Sequence, residues 1–400
     1  METFKELYFS IFFSIKFNFK IFYLRMNHSN DVIVNSITNF SLNCLKQLKK
    51  DNEPTIFSPI SLILALGMAY AGTKGETKKE FLEIIKSNNE NNEIDKYFSE
   101  FIQALDEIPP DTNLGIKTAN KIYIHSNFHV LESYKKLLST FYDGQFESIN
   151  FNENVIAAEK INAFISDATN EKIKDLITSD AINSMTRILL VNCLHFKGDW
   201  RKRFKEYEMY DDFFYRNENS REEVTFMKKQ GFLTYNENEN SQLVLLDYCD
   251  DKSKFGILLP KKRYDISNIL NSLNGEELLK LINGASGQDV DLTIPKFKAE
   301  SNFYLNDCLK SLGLKLAFSH DADFSGITES EKLFISNVVQ KVFIDVNENG
   351  TEAAAATAMM IECLMLPIPP ENPIVFKADH PFLFFILYDN KHMLFNGIYM

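Results

Sequence analysis

Residues 187–196 read R-I-L-L-V-N-C-L-H-F, a near-continuous apolar run. A strand with one wet face alternates apolar and polar positions, whereas a run apolar at both parities suits a strand covered on both sides. The rest of the chain must therefore supply a layer for each face. Helical spacing runs over residues 31–50, where Ile33, Ile37, Phe40, Leu42, Leu45 and Leu48 recur. It returns at 58–72, with Pro59 suited to a first turn, and at 77–86, 131–141, 155–170 and 266–281. Residues 172–177 follow on from the fifth of these. Strand patterns cover 114–124, 147–151, 242–248, 255–259, 291–297, 332–344, 382–388 and 393–400. Helices come mostly early and strands late, with no repeat and no linker, which predicts an α+β fold in one large domain. The 35 phenylalanines are enough for a large core.

Composition narrows the function. A net charge of -12 argues against nucleic acid or a heparin-type polyanion as partner, since either wants a basic stripe. Residues 97–108 read Y-F-S-E-F-I-Q-A-L-D-E-I, which is acidic. The five cysteines (Cys44, Cys193, Cys249, Cys308, Cys363) are odd in number and widely spaced, and no C-x-x-C or Cys/His cluster exists, so no metal site is expected. Four of the five lie in apolar surroundings and read as small core residues. None of the seven histidines belongs to H-E-x-x-H, and neither a G-x-S-x-G elbow nor a phosphate-binding loop is present. The chain is expected to be no enzyme and to need no cofactor.

Residues 347–361, N-E-N-G-T-E-A-A-A-A-T-A-M-M-I, read two ways. Alanine propensity and a Thr351 cap favour a short helix. Alternation favours an extended segment instead: Thr351, Ala353, Ala355, Thr357, Met359 and Ile361 share a small, apolar face, and Glu352, Ala354, Ala356, Ala358, Met360 and Glu362 a wetter one.

E-N-G-T-E-A-A-A-A-T-A resembles the reactive-loop hinge of the serpins, a family of protease inhibitors. F-K-A-D-H-P-F-L-F-F-I from Phe376 is similar to that family's C-terminal signature. So are S-P-I-S from Ser58, T-A-N-K-I-Y from Thr118, L-V-N-C-L-H-F-K-G-D-W from Leu190, I-P-K-F-K-A-E from Ile294 and A-D-F-S-G-I from Ala322. The resemblance spans about residues 30–400.

It implies three β-sheets surrounded by helices, with an exposed reactive loop over about residues 348–375. It also implies a suicide-substrate mechanism: a serine protease attacks the loop, and the cut loop enters the main sheet as a new strand while still acylating the enzyme. The hinge would be Glu348, Gly350, Thr351, Glu352, Ala353, Ala354, Ala355, Ala356 and Thr357. Its small residues are intact, as expected of an inhibitor rather than a binding or chaperone-like member. The family's spacing puts the reactive bond fourteen residues after Gly350, at Leu364–Met365. Counting back from His380-Pro381-Phe382 gives another bond, but insertion length is set on the hinge side. A leucine there implies a chymotrypsin-like partner with an apolar pocket. Control of sheet opening maps onto Ser58, Ser61, Asn192, Gln340 and Trp200, with glutamine at 340 where the family usually has histidine. A monomer is expected.

Residues 1–25 precede the family-like part. The apolar run at 7–15 is signal-like, but Glu2 and Glu6 flank it, Lys16 and Lys20 follow, and no small-residue cleavage site is present. Family prevalence implies the extracellular space; free cysteines and this weak signal point to the cytoplasm. Sequons occur at Asn27, Asn39 and Asn349, the last expected to be unused because a glycan would obstruct insertion.

Overall fold

The computed structural model describes residues 32–85, 99–100, 102–103, 115–142, 145–169, 171–329, 332–351 and 372–400. The N-terminal extension, the acidic run at 97–108 for the most part, the hinge from Glu352 to Thr357, and Leu364–Met365 lie outside them.

Two hydrogen-bonded sheets organise the chain. The strands are β1 (Thr55–Phe57), β2 (Gly115–His125), β3 (Gln145–Ile149), β4 (Ile188–Asp199), β5 (Met209–Asn217), β6 (Ser220–Glu237), β7 (Ser241–Asp247) and β8 (Ser253–Pro260). They continue as β9 (Ser286–Pro295), β10 (Phe297–Tyr304), β11 (Ile335–Asn347), β12 (Gly350–Thr351), β13 (Ile374–Lys377), β14 (Phe382–Tyr388) and β15 (His392–Tyr399). A six-stranded sheet runs β10-β11-β12-β4-β2-β3. A nine-stranded sheet runs β1-β15-β14-β8-β7-β6-β9-β13, with β5 on β6. The long β6 joins two parts of it: Met227 and its neighbours pair with β5 and β9, while Thr234–Glu237 pair with β7. Divided at β6, this sheet and the first make the expected three.

β4 is the strand covered on both faces. Ile188, Leu190, Leu194 and Phe196 join the main core. Leu189, Val191 and Cys193 join a second core beneath the helix Asn154–Ala168. Three helices begin the described chain: α1 (residues 32–48), α2 (Pro59–Tyr70) and α3 (Gly75–Ile85). All twelve residues of α2 are buried, as its apolar composition on every side requires.

Two local expectations fail. The helical pattern over 266–281 is two helices, Ile266–Ser272 and Gly275–Asn283, because Leu273 turns extended and Asn274 starts the second with a capping box to Glu277. Residues 172–177 are bends and irregular chain, with no helix. Cys44, Cys193 and Cys308 are buried and Cys249 is exposed, all four free thiols, while Cys363 lies outside the described residues.

Candidate functional site

β4 and β11 pair in parallel from Ile188 and Ile335 to Leu194 and Val342. Beyond that they separate, and Gly350–Thr351 fills the gap, antiparallel to both neighbours. Gly350 faces Asp199 and Asn347; Thr351 faces Gly198 and Val346. The fit demands glycine first. A Cβ on Gly350 would stand 2.1 Å from the Gly198 carbonyl oxygen and 2.8 Å from the Asp199 Cα, both backbone atoms that cannot swing away.

Thr351 is fully buried, and its hydroxyl lies 2.6 Å from that of Tyr248. Tyr248 stacks on Trp200, with centroids 4.7 Å apart, and meets Phe196 edge-on. Trp200 is then held by the turn before the hinge: its indole N–H donates to the Asn347 carbonyl at 2.8 Å, and its backbone N–H donates to that of Asn349 at 3.0 Å. The Phe204 N–H donates to the Glu348 carbonyl at 3.0 Å, and the Glu348 carboxylate pairs with Lys296 at 2.8 Å. Burial works to raise the Glu348 pKa, but the Lys296 hydrogen bond and charge outweigh it and the carboxyl ends below its usual range. Thus Trp200, Phe204, Tyr248 and Lys296 grip Glu348, Gly350 and Thr351.

A second polar cluster sits under the middle of this sheet. Ser58, Ser61, Asn192 and Gln340 are all fully buried. Ser58 caps α2, its hydroxyl oxygen accepting from the Ser61 N–H at 3.3 Å and its O–H donating to the Leu394 carbonyl at 2.7 Å. Gln340 is bonded at both ends. Its amide nitrogen donates to the Ser58 carbonyl at 2.9 Å and to the Asn192 side-chain oxygen; its oxygen accepts from the Ser58 N–H at 2.9 Å. Ser61 donates to Asn120 at 2.9 Å, and Asn192 to the Val339 carbonyl at 3.3 Å. An amide does not titrate in this range, so the glutamine supplies both donor and acceptor without a protonation step.

Gln340→Leu should lower the unfolding free energy by about 3 kcal/mol, because the Ser58 N–H and the Asn192 side-chain oxygen would be buried without partners, while the Ser58 carbonyl would keep only the Leu62 N–H. Urea unfolding measures this, and an unchanged midpoint would mean the network carries no stability.

The five residues to which the resemblance assigns control of sheet opening fall into two places. Ser58, Ser61, Asn192 and Gln340 touch one another, whereas Trp200 belongs with the hinge. Tyr248, Lys296, Asn120 and Asn347 were not foreseen; only the strand pattern of 242–248 hints at the first. His380 is structural, bridging the Asp379 carboxylate and the Pro260 carbonyl at 2.8 Å each.

The family model described as Serpin (serine protease inhibitor) matches residues 35–400. The chain is 31% identical over 375 residues to Antichymotrypsin-2 of Bombyx mori, covering 92% of this chain and 98% of that protein. It is 35% identical over 372 residues to Ipis-1 of Ixodes persulcatus, covering 91% and 97%. Among solved structures, Serpin48 of Tenebrio molitor superposes with a TM-score of 0.82 at 29% identity, covering 92% of this chain and 97% of that one.

Proposed function

The chain belongs to the serpin family, and from that premise we propose that it inhibits a serine protease of chymotrypsin-like specificity by trapping it as an acyl-enzyme. The observation that carries the reading is the seated pair Gly350–Thr351 between β4 and β11. A loop whose first residues already hydrogen-bond both neighbours has its entry register set, and further insertion only extends it.

The chemistry belongs to the protease. Its serine oxygen attacks the Leu364 carbonyl, an ester forms, and the Met365 amine leaves with a proton. The freed hinge then moves down the sheet. Continuing the observed register sets Ala353 opposite Phe196 and Ile344, Ala355 opposite Leu194 and Val342, and Thr357 opposite Asn192 and Gln340. The small face thus falls on the side of Val338, Val342, Ile344 and Val346, all in the main core. A charge or proline on that face would stall the strand, and Thr351 to Ala358 carries neither there. Fourteen residues at about 3.3 Å each carry the tethered enzyme roughly 45–50 Å. The protein acts as a monomer, without heparin or other cofactor, and in the extracellular space.

Mixing the protein with a chymotrypsin-like protease should give a complex that survives boiling in SDS and releases a C-terminal peptide beginning at Met365. A trypsin-like enzyme should give none, since no basic residue lies between Gly350 and Glu371. A peptide starting elsewhere overturns the Leu364 assignment. Clean cleavage without complex would instead mark a member of the family that uses the fold for binding alone.

A further inference from the structure

Directly after Trp200 the chain reads R-K-R-F-K, a basic run in a protein of net charge -12. The fold sets Lys229 of β6 against this run. Together Arg201, Lys202 and Lys229 line a cavity of about 260 Å³ whose apolar wall includes Phe232, Leu245 and Leu246; one carboxylate, Asp247, also lines it. Phe232 is 64% exposed, unusual for a phenylalanine.

The charges here are poorly matched. Arg201 has carboxylate partners in Asp251 and, at 4.0 Å, Asp247. Asp247 is itself shared with Lys254 at 3.0 Å. Among the described residues no carboxylate lies within ion-pair distance of Lys202 or Lys229. The Lys229 ammonium instead donates to the Lys202 backbone carbonyl at 3.1 Å and sits over the Phe204 ring at 4.1 Å. Burial, with the Lys202 charge beside it, pushes Lys229 down to about 7, and Asp247 is the smaller opposing influence. A full charge on Lys229 is disfavoured against the apolar wall and beside Lys202, and an anion that also covers that wall would restore it. Ligand pockets are typically about 300–1,000 Å³, so the occupant must be small.

We propose that this cavity binds a small organic anion, an acidic head on a short apolar body, with the head between Lys202 and Lys229 and the body against Phe232. The site is coupled to the hinge. The Arg201 N–H donates to the Asp247 carbonyl at 3.0 Å, and the residues on either side, Trp200 and Phe204, hold the carbonyls of Asn347, Glu348 and Asn349. An anion tying Lys202 to β6 fixes the segment that grips the hinge.

Trp200 is the only tryptophan, so its fluorescence reports occupancy in the full-length chain. Titration with benzenesulfonate should shift that emission saturably. Inorganic sulfate and benzyl alcohol, each carrying half of the chemistry, should bind at least about tenfold more weakly. Lys202→Met, at an exposed position, should weaken binding at least about threefold, and Lys202→Met with Lys229→Met at least about tenfold; Phe232→Ser should weaken it as well. No saturation with the wild-type chain overturns the proposal. So does equal binding of benzyl alcohol, or a correctly folded double variant that binds as before. Sulfate binding as tightly, or an unaffected Phe232→Ser, overturns the apolar half of the assignment. No protease enters the measurement, so its failure is separate from any failure of inhibition.

Discussion

Nicking the loop at Leu364–Met365 should raise the thermal unfolding midpoint by about 10 °C or more. In the intact chain Thr351 is fixed in the six-stranded sheet and Ile374 in the nine-stranded one, where it pairs with Val290. With both ends held, the segment between cannot follow Thr351 downward. Scission frees one end. The β4–β11 contact is parallel, with slanted hydrogen bonds that are slightly weaker per residue. An inserted strand replaces it with two antiparallel ladders, extending those already present at Gly350 and Thr351. It also buries Ala353, Ala355, Thr357 and Met359 against the main core. Scanning calorimetry before and after controlled proteolysis measures the change; an equal or lower midpoint would contradict a metastable intact state.

Thr351→Arg should convert the inhibitor into a substrate, with trapped complex falling at least a hundredfold. Thr351 is fully buried between Gly198 and Val346, its hydroxyl on that of Tyr248. A guanidinium there would replace a small hydroxyl bonded to Tyr248, and a buried charge without a well-placed partner costs several kcal/mol. Every 1.4 kcal/mol slows a step about tenfold. The variant must first give up its seated hinge, and insertion then starts later in its race with hydrolysis of the acyl-enzyme. Binding and cleavage at Leu364 should persist, because the bait itself is unchanged. Thr351→Ser, which keeps the hydroxyl, should trap nearly as well as the wild type. Titrating protease against each and comparing complex with cleaved product tests this; equal trapping by Thr351→Arg would mean that the seated position has no bearing on inhibition.

Much of this architecture is legible in the residues. The doubly apolar run at 187–196 is an interior strand with a core on each side, and the pattern at 332–344 leads into the hinge. What escapes is polar or depends on tertiary placement. β6 contains R-E-E-V-T-F-M-K-K-Q, whose charges conceal an 18-residue strand. The two-faced reading of the hinge falls outside the described residues from Glu352 on; Thr351, its first inward position, is buried. Tyr248 and Lys296 stand about 100 and 50 residues before the hinge, and only the register brings them to it. The basic cavity is hidden for the same reason: R-K-R-F-K looks like a solvated surface run until Lys229 arrives from another strand.

The pairing of β1 with β15 has a consequence for biosynthesis. Thr55–Phe57 pairs as a strand with Asn396–Ile398, and the Ser58 hydroxyl donates to the Leu394 carbonyl. A chain emerging from the ribosome N-terminus first must therefore carry the face of α2 that meets β15 uncovered until β15 is made. Such long-range pairing is slow, and the uncovered intermediate is prone to associate with other copies. The hinge, by contrast, is translated before β13, β14 and β15, so the strand that is meant to wait is available while the core meant to restrain it is still incomplete. Yield in the cell should accordingly depend on how quickly the final strands close over α2, and a deletion of a few C-terminal residues should act as a folding defect, far from any contact with a protease.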